Sequence, residues 1–136
     1  GQGGPRDTAA AARWYRDAAE RGNAAAQFNL GVMFYAGEGV PQDDAEAAKW
    51  YRQAAERGYA RAQHNLGLLY ELGRGVPQDF VQAYVWFGLA AASFGAKGRA
   101  DGADAGGDRD KLKARMTPAQ IVEAERLLKG FRARRR

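Results

Sequence analysis

Residues 41–76 read PQDDAEAAKWYRQAAERGYARAQHNLGLLYELGRGV, and residues 5–40 read PRDTAAAARWYRDAAERGNAAAQFNLGVMFYAGEGV. Laid over one another without a gap, the two stretches agree at 22 of 36 positions, which chance does not produce. Trp14, Trp50 and Trp86 mark the same period, as do Pro5, Pro41 and Pro77, and Asp7, Asp43 and Asp79. A third copy opens at residue 77 with PQDFVQAYVWF and loses the pattern after Ala92. A fixed period of this length signals a stack of small supersecondary units.

Each copy predicts two helices. Asp43 follows Pro41 and precedes Glu46 by three, an N-cap with its capping box, and Asp79 with Gln82 repeats it. The first helix runs through AEAAKWYRQAAER and stops at Gly58, as its counterpart from Asp7 stops at Gly22. The second is ARAQHNLGLLYEL, closed by Gly73, after which GRGVPQD turns the chain back. Two helices of this length joined by short turns pack antiparallel but cannot bury their apolar faces alone, so the pairs must stack. The expected fold is all-α: a right-handed α-solenoid of stacked antiparallel helix pairs with a C-terminal capping helix. Its single domain spans 1–136, divided as 5–40, 41–76, a divergent third repeat 77–112, and a cap with basic tail over 113–136.

The stretch 47–79, AAKWYRQAAERGYARAQHNLGLLYELGRGVPQD, resembles the Sel-1-like repeat family, relatives of the tetratricopeptide repeats. Its WY, AAE-R-G, A-AQ-NLG and G-GVPQD elements carry the resemblance, which covers residues 5–92. WFGLAAA at 86–92 and MTPAQIVEAERL at 116–127 are similar to the way bacterial members end their arrays. The resemblance implies an adaptor or scaffold that assembles complexes, often at the bacterial envelope or in host contact; periplasm and cytoplasm both stay open. The chain starts with Gly1 inside a GVPQD-like turn (Gly3, Gly4, Pro5, Arg6, Asp7), so further repeats are expected upstream.

Beyond Ala92 the pattern changes. Five glycines between 95 and 107 disfavour a long rigid helix, and helical order is expected to resume near Asp108 through RDKLKAR. Thr117, Pro118 and Gln120 then predict the start of a last helix, with a threonine N-cap, a proline in the first turn and a glutamine closing the box. Its Ile121, Val122, Leu127 and Leu128 can cover the open end of the stack.

The residue inventory narrows the chemistry. The chain of 136 residues holds no Cys, one His (His64), one Ser (Ser93) and two Thr (Thr8, Thr117). Disulfides, thiolate zinc sites and cysteine nucleophiles are therefore excluded. A Ser-His-Asp site would need Ser93 and His64 together, and Ala96 stands where a Ser-x-x-Lys motif needs lysine. His64 lacks metal-ligating neighbours at Ala60 and Leu68, one helical turn away. Gly37-Glu38-Gly39 and Gly73-Arg74-Gly75 have no GKS/T after them and read as turns, not phosphate loops. The three tryptophans, at one period, are expected to fill equivalent interhelical slots. No catalytic, cofactor-binding or metal-binding residue is assigned. No apolar run approaches the ~20 residues of a membrane span.

What differs between copies points to partner binding. Ala26, Gln27, Asn29, Leu30 and Gly31 recur as Ala62, Gln63, Asn65, Leu66 and Gly67, the face that stacking requires. Ala25, Phe28, Val32, Tyr35 and Ala36 become Arg61, His64, Leu68, Glu71 and Leu72. Positions 61, 64, 68 and 71 share one helix stripe. Matching Leu66-Gly67 and Tyr70 to the tetratricopeptide pattern implies that this helix lines the inner, concave layer. These ten residues are thus the candidate partner-binding groove, for a peptide or protein. The net charge of +5 supplies a rival reading. Residues 1–107 carry net −1 and residues 108–136 net +6, densest at Arg132 and Arg134–Arg136. An Arg-rich tail can attach to an anionic surface or nucleic acid, though only Phe131 supplies an aromatic there, so nucleic acid is not the expected partner. The uncapped N-terminal repeat, with Trp14 and Tyr15, is expected to self-associate.

Overall fold

The computed structural model describes residues 5–94 and 105–134, and side chains over 7–93 and 106–131. Those residues form seven helices and no strand: α1 (Pro5–Glu20), α2 (Ala24–Ala36), α3 (Asp44–Glu56), α4 (Ala60–Leu72), α5 (Phe80–Phe94), α6 (Ala105–Lys113) and α7 (Pro118–Arg134). They build a right-handed α-solenoid of stacked antiparallel pairs. The tightest pairs are α2 with α3 and α4 with α5, across the Gly-x-Gly turns; α6 and α7 both pack on α5.

Helix ends follow local chemistry. The Asp43 carboxylate accepts from the Glu46 N–H at 3.1 Å, and Asp79 does the same for Gln82 at 3.1 Å. Thr117 and Gln120 make the full reciprocal box, at 3.1 and 2.8 Å. Asn23 caps α2 through the Ala26 N–H at 2.8 Å, whereas Tyr59 at the same register of α4 makes no side-chain cap. Two ends depart from expectation. Helix α1 begins at Pro5 rather than Asp7, a position where the missing N–H costs nothing. Helix α6 begins at Ala105, three residues before Asp108, and takes in Gly106 and Gly107. The glycine-rich stretch at 95–104 lies outside the described residues, as do the side chains of Arg132 and Arg134–Arg136.

The seams recur at intervals of 36 residues. A Cβ on Gly31 would stand 2.7 Å from the Tyr51 ring, and one on Gly67 2.7 Å from the Phe87 ring. The Gln27 and Gln63 amides, both buried, each donate to a carbonyl eight residues back, Ala19 and Ala55, at 3.1 Å. Arg16 lies over Phe34 and Arg52 over Tyr70, each 5.6 Å from the ring centre. At Gly75 (φ +75°) a Cβ would come within 2.2 Å of the Asp44 carbonyl oxygen, so the turn needs glycine both for its left-handed backbone and for its room. Leu30, Leu66, Trp86, Phe87 and Leu112 are fully buried in the core; each such side chain contributes about 1.5–3 kcal/mol of burial.

Position 88 breaks the pattern. Where α1 and α3 carry Arg16 and Arg52, α5 carries Gly88, and a Cβ there would lie 2.6 Å from a methyl of Leu128. Helix α7 thus seats on α5, with Phe131 against Trp86 (ring centres 5.6 Å) and Glu125 accepting from the Tyr84 hydroxyl. The tryptophans do not share one environment: Trp50 is 4% exposed and Trp86 1%, but Trp14 is 68% exposed. The slot expected for Trp14 is unfilled because α1 ends the described stack and packs chiefly on α2.

Candidate functional site

An apolar cleft of about 270 Å³ opens between α2 and α4, with α3 beneath. Val32 and Tyr35 come from α2, Tyr51 from α3, and Asn65, Leu68, Leu69 and Leu72 from α4. Val32 (37% exposed) and Leu72 (58% exposed) are two of the four large apolar side chains that the described residues leave open. Their exposure follows from stacking: the constant face of each helix is used up on its neighbours, and the variable stripe is what remains.

Of the ten candidate residues, the cleft brings together Val32, Tyr35, Leu68 and Leu72. The other six do not line it. Phe28 is half-buried against Tyr51 and Tyr59, with ring centres 5.8 and 5.3 Å away. His64 is in the same register, 5.6 Å from the Phe87 ring, and its Nε2 meets an Asp108 carboxylate oxygen at 2.6 Å. Glu71 accepts from Arg115 at 2.9 Å. The continuation of the stripe beside α6 is therefore bridged by the chain's own C-terminal segment, through His64–Asp108 and Glu71–Arg115. Ala25, Ala36 and Arg61 are exposed outside the cleft.

Tyr35 at the rim is not unattended. The Arg74 guanidinium lies 4.6 Å over its ring, donates to its hydroxyl at 2.6 Å and forks onto both Asp44 carboxylate oxygens at 3.2 Å. The floor carries one polar pair. Asn65 donates to the Tyr51 hydroxyl, while burial outweighs that bond and pushes the phenol up to about 12. Comparison of the copies missed Tyr51, Asn65 and Leu69, since the first two recur unchanged as Tyr15 and Asn29 and so read as fold-bearing. The signal available for them was adjacency: Asn65 and Leu69 lie within one turn of Leu68 and Leu72.

His64 and Ser93 are not joined. Ser93 donates to the Gln63 side-chain carbonyl at 2.9 Å, while His64 faces Asp108. Among the described residues no group of three or more His, Asp or Glu side chains could hold a metal ion, and no helix is long and apolar enough to cross a membrane.

A stack of helix pairs at 36-residue spacing with an apolar cleft on one face defines a helical-repeat solenoid. The Sel1 repeat family model matches residues 1–23, 24–59 and 60–93, so its units begin at α2 and α4 and coincide with the most closely packed pairs. The chain belongs to the Sel1 repeat family. Its fold is similar to that of a protective antigen present in uropathogenic Escherichia coli strains displaying an SLR fold. That match has TM-score 0.76 and 37% identity, over 88% of this chain and 24% of that one. It is also similar to a Sel1 repeat protein from Oxalobacter formigenes, with TM-score 0.61 and 40% identity, over 66% of this chain and 37% of that one. The chain thus spans well under half the length of either relative. No curated protein matches it. Sel1 repeat proteins are generally protein–protein interaction modules and are typically not enzymes.

Proposed function

We propose that this chain is a non-enzymatic interaction module that holds a segment of a partner protein in the cleft between α2 and α4, as part of an adaptor or scaffold. The observation that carries the reading is the cleft itself, an apolar recess of about 270 Å³ with Val32 and Leu72 exposed at its mouth. Concave solenoid faces are usual binding surfaces, and a recess of this size takes one or two apolar side chains. The non-enzymatic part is supported by Ser93 and His64, whose hydrogen bonds go to Gln63 and Asp108 rather than to each other.

A photo-crosslinking residue placed at Leu72 tests it, beside the same residue at Val122, which is equally open on α7. Leu72 should yield a discrete protein adduct that Val32→Glu removes, while Val122 yields none. Equal labelling at both positions would mean a merely sticky surface. Deleting Arg134–Arg136 should leave the adduct intact; its loss on that deletion would favour attachment through the basic tail, with its steep salt dependence.

A second reading, self-association through the N-terminal end, is favoured by one observation: Trp14 stands 68% exposed where its two counterparts are buried.

A further inference from the structure

The turns at 37–40 and 73–76 differ at one residue, Glu38 against Arg74. Both keep their two left-handed glycines, with φ of 73° and 76° in the first and 69° and 75° in the second, so the turn itself has no need of an arginine. What Arg74 does is reach back to the preceding turn. Its guanidinium lies 4.6 Å over the Tyr35 ring, at the end of α2, and forks onto the Asp44 carboxylate, at the start of α3, at 3.2 Å. The two partners flank the turn at 37–40 on either side.

Arg115 repeats this one unit further on with its partners exchanged. It stands two residues beyond the end of α6, as Arg74 stands two beyond the end of α4. Glu71 and Phe80 flank the turn at 73–76, each 36 residues beyond Tyr35 and Asp44. Arg115 donates to Glu71 at 2.9 Å and lies 4.8 Å over the Phe80 ring. Where Arg74 meets a ring before the turn and a carboxylate after it, Arg115 meets a carboxylate before and a ring after. The His64–Asp108 and Glu71–Arg115 contacts are both 44 residues apart, so α6 runs beside α4 in the same direction and carries Arg115 to the matching place.

We infer that Arg74 and Arg115 are one device used twice: an arginine clamp that grips the preceding turn from both sides, takes one ring and one carboxylate in either order, and keeps that end of the unit from opening alone. A planar guanidinium can stack its face on a ring while its edge donates to a carboxylate, so the two partners use different parts of the group and their order is free. Two carboxylates would repel one another across a single cation, and two rings would leave the cation without an ion partner. The Arg74 side chain is 42% exposed, so solvent screens the pair and the grip acts locally rather than on the whole stack. Because Tyr35 is also a wall of the α2–α4 cleft, the clamp fixes that wall whatever the cleft holds.

Thermal melting of the whole chain tests the exchange. Tyr35→Glu and Asp44→Phe should each lower the midpoint, and the two together should recover most of the loss, since they recreate the order found at Arg115. In an Arg74→Met background the recovery should vanish. The converse pair at the other clamp, Glu71→Tyr with Phe80→Asp, should behave alike and decides if the first set does not fold. Hydrogen exchange reads the grip directly: amides at the end of α2 and the start of α3 should exchange about fivefold faster in Arg74→Met than in the unaltered protein, with those of α7 unchanged. Additive losses in the double variants, or recovery that persists without Arg74, would overturn the exchangeable order. Equal exchange in Arg74→Met and the unaltered protein overturns the clamp even if no double variant folds.

Discussion

Gly67 and Tyr51 show how much a single residue settles here. Gly67 is not there for backbone freedom, since it sits within α4; it is there because a Cβ would stand 2.7 Å from the buried Phe87 ring. Gly67→Leu should therefore cost about 1–3 kcal/mol by overpacking, read as a lowered thermal midpoint; an unchanged midpoint would mean the seam can give. The equality of Gly31 and Gly67 made that legible from the sequence alone. Tyr51 was not legible as a cleft residue, because its ring serves the fold while its hydroxyl faces Asn65. Its phenol is raised from 10.0 to about 12. A phenol raised in the folded state favours folding fully below its unfolded value, and that contribution is lost as pH rises from about 10 through about 12. The protein should melt lower at pH 11 than at pH 9, and Tyr51→Phe should lessen that drop. An identical drop in the variant would clear Tyr51 of the effect.

At the scale of the helices, the sequence was read most accurately where capping chemistry and glycine stops coincide. Helix α4 runs over ARAQHNLGLLYEL as expected, closed by Gly73 in the left-handed conformation. Reading failed where tertiary contacts override propensity: α6 forms through Gly106 and Gly107, with Leu112 buried and Asp108 and Arg115 tied to α4. Of the six groove candidates outside the cleft, His64 and Glu71 are bridged by the C-terminal segment and Phe28 packs on Tyr51 and Tyr59, while Ala25, Ala36 and Arg61 stay exposed. A variable stripe tells which positions are released from stacking, not which of them a distant segment will cover. Helix α7 offers a clean check of the local chemistry. Thr117→Ala removes an acceptor 3.1 Å from the Gln120 N–H in an exposed box and should cost about 1 kcal/mol. Chemical denaturation will show the loss as a lowered midpoint at constant slope. No change would mean that Phe131 and Leu128 seat α7 without help from its cap.

For the whole molecule, the two ends of the stack differ. Among the described residues, α7 covers Trp86 on one side of the stack, whereas on the other Trp14 is exposed, with Tyr15 edge-on at 5.4 Å. Light scattering across a concentration series should show mass rising with concentration, and Trp14→Glu should hold the chain monomeric. A monomer at every concentration would count against self-association. The seams inside the stack have a consequence of another kind. Since Gly31 meets Tyr51 as Gly67 meets Phe87, and Gly39 meets Thr8 as Gly75 meets Asp44, the join at residue 40 is interchangeable with the join at residue 76. A tandem duplication of residues 41–76 would present matching surfaces on both sides of the inserted unit. At Gly88 the neighbour is Leu128 of α7 instead of a repeat helix, so the seam after residue 76 is not matched by a third one. Such a gene could lengthen by whole units of 36 residues with both new seams already matched.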